Sequence, residues 1–213
     1  MAHYDSRARA RLAPEIALGA SVGLADLLAR AVSIVCAPPI MMLPLVLLVV
    51  RRAPEGHELL QGVLAFVAAT AVLPALFVYA SCLVGAAHSF DLTRRSERLR
   101  PAVFAVACAT LVYPVLVALG APPVLLDLDA ALAGQLALLA VVTAWWKISY
   151  HAAGAAGVAF LALALEGASL ALPLLALAGL VGWARVHLGR HTRAQVFFGW
   201  LSALPLLWWT WNA

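Results

Sequence analysis

Three short polar junctions carry most of the side chains that could do chemistry. The last reads Ala184-Arg185-Val186-His187-Leu188-Gly189-Arg190-His191-Thr192-Arg193-Ala194-Gln195. The middle one reads Trp146-Lys147-Ile148-Ser149-Tyr150-His151, and the first Asp91-Leu92-Thr93-Arg94-Arg95-Ser96-Glu97-Arg98-Leu99-Arg100-Pro101. Guanidinium forks bind the oxygens of an anion two at a time, so arginines set beside histidine and serine have the chemistry to hold an oxyanion. Each junction also has a plainer reading. Arg185 and His191 can be interfacial cations at helix ends, Ser149 an N-cap beside an interfacial histidine, and the arginines between 94 and 100 a solvated basic loop. His187 reads as interfacial, and His57 falls on the other side of the membrane beside Arg51 and Arg52.

What must position these residues is a helical membrane domain. Of the 213 residues 65% are hydrophobic and only 11% charged, with a mean hydropathy of +0.98, which excludes an ordinary soluble globule. A hydrocarbon core of roughly 30 Å needs about 20 apolar residues as helix. Solid apolar runs, rather than the alternation of an outer-membrane barrel, make the fold all-α.

Seven uncharged stretches, 31–50, 59–87, 101–126, 130–146, 152–165, 167–184 and 195–213, predict a bundle of about six or seven spans. Pro38-Pro39 interrupts the first, which is then kinked or re-entrant. Gly120-Ala121-Pro122-Pro123 turns the third into the fourth, and Trp208, Trp209 and Trp211 suit a membrane interface. Residues 1–30 form a basic tail with an interfacial helix, and 31–213 a single transmembrane domain. Asp127, Asp129 and Glu166 fall at span ends, where loop solvation accounts for them.

The three junctions are each two spans apart and open on one face. If the first stretch crosses fully, only Arg51 and Arg52 of the 14 Lys and Arg residues lie opposite, and the positive-inside rule makes the crowded face cytoplasmic. The cysteines Cys36, Cys82 and Cys108 show no metal-ligand or disulfide spacing. The dispersed arginines and net charge of +4 do not suit nucleic acid.

Between residues 91 and 199 the junctions resemble the three signatures of the type 2 phosphatidic acid phosphatase superfamily, in the family's order. Arg185 and His191 match the last signature, with Ala184 in place of its serine and Gly199 as the small residue one turn into the next helix. Ser149 and His151 match the Pro-Ser-Gly-His element, with Ile148 for proline and Tyr150 for glycine. Arg100-Pro101 resembles the opening Arg-Pro, with Thr93 in place of the lysine, and Arg95, Glu97 and Arg98 fit a denser variant of that element found in divergent bacterial members.

The resemblance implies a metal-independent phosphatase, without cofactor, in a bacterial inner (plasma) membrane. It would hydrolyse an isoprenoid or glycerolipid phosphate or diphosphate whose tail lies among the helices and membrane lipids. His191 would be the nucleophile, forming a phosphohistidine, and His151 would protonate the leaving alcohol and then activate water. Arg185, Arg94, Arg95, Arg98 and Arg100 would clamp the phosphate, with Ser149, the Tyr150 backbone N–H and Lys147 adding hydrogen bonds and charge. The family's orienting aspartate is here Gln195, which can fix the imidazole tautomer but supplies no charge. Two alternatives follow from these departures. One is a catalytically impaired lipid-binding or scaffolding protein, and the other a lipid phosphotransferase.

Overall fold

The computed structural model describes residues 23–54, 56–204 and 206; the basic tail before residue 23 and the C-terminal tryptophans lie outside the described residues. The chain is all-helical there. Helix α1, Leu24–Val35, is amphipathic and buries Ala29 and Ser33, with Asp26 in its first turn where the helix dipole favours an acid. Pro38 and Pro39 then open α2, Pro38–Val50, because proline suits the first helical positions and cannot continue a helix behind it. The two meet at a bend of 58°, the interruption expected from the proline pair.

Helix α3, His57–Leu83, passes through a π turn at Ala68–Val72 just ahead of Pro74. A proline there lacks an N–H and crowds the carbonyl four residues back, and a widened turn relieves both. A 3-10 turn, Arg95–Glu97, leads into α4, Leu99–Ala118. That helix ends at Gly120, whose φ of 67° is a left-handed stop. Helix α5, Pro123–Trp145, follows antiparallel to it.

The turn therefore comes earlier than hydropathy indicates. Asp127 and Asp129 are inside α5, not in a span-end loop, and Asp129 is fully buried with neither carboxylate oxygen hydrogen-bonded. Solvation cannot account for it. Glu166 instead pairs with Arg52 at 3.3 Å, and Arg52 also donates to the Leu165 carbonyl.

The core is built around α6, Tyr150–Glu166. Its alanines and glycines let the neighbouring backbones approach closely, and Ala152, Ala153, Ala155, Ala156, Ala159 and Ala162 are all buried. It packs on α2, on α7 (Ala168–His187) and on α8 (Arg193–Leu201), while α1 lies against α7. Helices α3, α4, α5 and α7 are long and apolar enough to cross a bilayer, and the bent α1–α2 pair would make a fifth crossing. Helix α6 is shorter, at 17 residues.

Candidate functional site

The N-terminus of α6, the end of α7 and the start of α8 meet, and each fixes one part of the site. Ser149 caps α6: its hydroxyl accepts from the Ala152 N–H at 3.3 Å. The plain N-cap role is thus real, and it leaves the Tyr150 and His151 N–H groups at a helix N-terminus, where backbone donors and dipole together favour an anion. The Tyr150 phenol points the other way, to Thr143 at 3.1 Å.

Helix α7 runs through Arg185 and stops at Gly189, with φ 63°. The Arg190 and His191 N–H groups both fold back onto the Arg185 carbonyl, at 3.0 and 3.1 Å, so His191 comes to rest over the helix end that carries Arg185. Thr192 then caps α8 in a reciprocal box: its hydroxyl accepts from the Gln195 N–H, and the Gln195 amide oxygen accepts from the Thr192 N–H at 3.1 Å. The same oxygen lies 3.2 Å from His191 Nδ1. The Ser149 N–H donates to the Gln195 carbonyl at 3.3 Å, joining the two motifs directly. Gly199 permits this contact, because a Cβ there would meet the Ser149 carbonyl oxygen at 2.7 Å.

One arginine of the first junction joins them. Arg98 is buried, donating through Nε to the Leu92 carbonyl at 2.7 Å and through Nη1 to the Ile148 carbonyl at 3.0 Å. Arg94 turns out to His88, Arg95 donates to the Ala144 carbonyl, and Arg100 is exposed on α4. Of the four first-junction arginines expected to join Arg185 in clamping a phosphate, only Arg98 is drawn into the cluster.

Arg185 is 2% exposed, and its Nη2 donates to both oxygens of Asp91, at 2.8 and 3.0 Å. Arg190 Nε lies 3.5 Å from the same carboxylate. The Nε of Arg185 is a buried donor with no partner, an open hydrogen-bonding position inside the cluster. His151 Nε2 is 3.2 Å from the Ser33 carbonyl of α1. A carbonyl can only accept, so Nε2 carries the proton and Nδ1 is left to exchange one.

The charges act on one another. Burial, then Arg98, Arg185 and Lys147 in turn, push the His191 pKa down to about 2, against a smaller upward pull from its Gln195 hydrogen bond. Lys147 is lowered as well, by burial and then by Arg98 and Arg185. The charges of Arg185, Asp91 and Arg98 also reach the His151 ring. Among the described residues, two histidines, three arginines and a lysine therefore share one electrostatic neighbourhood with a single carboxylate, Asp91. Such an arrangement can hold an oxyanion against an uncharged imidazole.

His187 is not part of it. It stacks on Trp183 and pairs with Asp26 at 2.9 Å, tying α1 to α7. His57 is exposed beside Glu58. Asp91 and the Ser33 carbonyl escaped the sequence reading. Asp91 stands as an acid at the head of the arginine-rich junction, which is a signal; a backbone carbonyl leaves none. No group of three or more metal-ligating side chains occurs among the described residues. Comparison with protein families, with curated proteins and with solved structures finds no match to this chain.

Proposed function

We propose that the protein is a membrane lipid-phosphate phosphatase that hydrolyses an isoprenoid or glycerolipid phosphate or diphosphate through a phosphohistidine, as the resemblance to the type 2 phosphatidic acid phosphatases implies. The observation that carries this reading is the neutral His191 ring, held through Nδ1 by Gln195, within the field of Arg98, Arg185 and Lys147. A neutral imidazole attacks phosphorus without first losing a proton.

In this reading Arg185, Arg98 and Lys147 bind the equatorial oxygens of the phosphoryl group, and the α6 N–H groups of Tyr150 and His151 add donors. His191 Nε2 forms the N–P bond as the P–O bond to the leaving group breaks, which is the lipid alkoxide from a monophosphate and the lipid phosphate from a diphosphate. His151 in its protonated form gives that leaving oxygen its proton. Neutral His151 then takes a proton from water, whose oxygen displaces His191 and releases inorganic phosphate. The headgroup would sit at the ends of α6, α7 and α8 with its tail among the helices. We place this face on the cytoplasmic side of a bacterial inner membrane, in a bundle of six or seven crossings.

One observation favours the impaired or binding-only alternative: Gln195 supplies no charge to the imidazolium that forms as His191 reacts. Phosphate release from a panel of lipid phosphates by the purified protein, beside His191→Ala and His151→Ala, separates the two. Turnover that falls at least about a hundredfold in both variants supports the enzyme. Binding of the same lipids without turnover supports the alternative.

A further inference from the structure

The Asp91 carboxylate lies on the guanidinium that a phosphate would need. We propose that Asp91 is an internal competing anion, which engages the Arg185 guanidinium and must be displaced by any phosphate that binds. This rests on the phosphate-binding reading above.

Three features support displacement over a fixed structural pair. Asp91 uses only Nη2 of Arg185 and leaves Nε buried and unpartnered; a phosphate seated side-on would take Nε and Nη2 together, the bidentate mode that arginine favours. The Asp91 side chain is 26% exposed whereas Arg185 is 2% exposed, so the carboxylate has a way out and the arginine has none. The next residue, Leu92, holds a φ of 46°, a left-handed conformation unfavourable for a side chain with a Cβ. Its carbonyl is drawn onto Arg98. The segment is thus pulled against its backbone preference toward two cations, and that pull relaxes when another anion takes the cations over.

Competition of this kind weakens every phosphate by one common factor. That matters in a membrane, whose bulk lipids are phosphodiesters: each carries a single charge, is held more weakly than a monoester dianion, and is present in large excess. A fixed penalty leaves the diesters below the threshold for occupancy while the monoester stays above it. After hydrolysis, Asp91 retakes Arg185 and helps to expel inorganic phosphate.

The test compares wild type with Asp91→Asn and Asp91→Ser in detergent micelles, using a monoalkyl phosphate as substrate and the matching dialkyl phosphate and inorganic phosphate as inhibitors. The proposal expects KM for the monoester and both inhibition constants to fall together by about tenfold, the loss of one charge-assisted competitor. A KM that is unchanged or rises, or folded protein lost in both variants, identifies Asp91 as a structural or positioning partner of Arg185 and overturns the proposal. If neither wild type nor variants bind the monoalkyl phosphate, the phosphate reading falls and this proposal with it. If wild type binds it and the variants bind no more tightly, only the role of Asp91 falls.

Discussion

His191 Nδ1 and Gln195 Oε1 are 3.2 Å apart, and the tautomer of the histidine follows from that pair. The same amide oxygen accepts the Thr192 N–H, so it is oxygen and not nitrogen that faces the ring. Nδ1 must therefore be the donor, and Nε2 keeps its lone pair. Gln195 does the orienting work of an aspartate without the charge.

Gln195→Glu tests what the missing charge is worth. Glutamate at the third position of a capping box preserves the bond to the Thr192 N–H, and a carboxylate beside the ring should raise the His191 pKa by about 1–3 units. We expect kcat to rise about tenfold with KM little changed, measured on a monoalkyl phosphate. A folded variant with lower kcat would show that charge at this position is not what limits the rate.

Stability below neutrality carries a signature of His191. Its pKa is about 2 in the folded protein against an unfolded value near 6.5. Between those values the unfolded chain binds a proton that the folded one does not, so stability falls as pH drops below about 6.5, by at most about 1.4 kcal/mol per pH unit from this group. His191→Gln removes the term. Thermal midpoints in detergent at pH 7.5 and 5.5 should therefore drop less for the variant than for wild type; equal drops would place the folded pKa near its ordinary value.

Gly199 is where the two motifs are pressed together. A methyl group there would stand 2.7 Å from the Ser149 carbonyl oxygen and 3.1 Å from the Ala152 Cβ, which pushes α8 off the start of α6. Gly199→Val should cost about 1–3 kcal/mol and loosen the Ser149 N–H to Gln195 carbonyl bond, lowering both the thermal midpoint and turnover. A variant with both unchanged would mean that the close approach is not required.

Much of this was visible in the residues. Pro38-Pro39 and Gly120 mark breaks because each imposes a local backbone state, and Ser149 as a helix cap follows from residue type, whereas the meeting of Ser149 with Gln195 and Gly199, far along the chain, was an expectation from the resemblance alone. Two things were not. Arginine density could not separate Arg98 from Arg94, Arg95 and Arg100, since only the path of the chain after the 3-10 turn sends one of them inward. Hydropathy placed Asp127 and Asp129 in a loop because it scores charges, not their surroundings, and the glycine stop at 120 overrules it.

Asp129 has no part in the proposed chemistry, and its buried oxygens are unpartnered. Asp129→Ala should therefore raise the thermal midpoint, by the equivalent of about 1–3 kcal/mol for removing an uncompensated buried polar group, and leave turnover unchanged. Loss of turnover in a folded, more stable variant would assign Asp129 a role in the reaction.

The central claim is a covalent bond between phosphorus and His191 Nε2. A lipid phosphate labelled with radioactive phosphorus, mixed rapidly with the purified protein and quenched in base, should leave label on the wild-type chain, and on His151→Ala, which lacks both the proton donor for the leaving alcohol and the base for water, the label should appear and decay more slowly. His191→Gln should carry none. Label retained on His191→Gln, or phosphate released by it at the wild-type rate, would contradict the account.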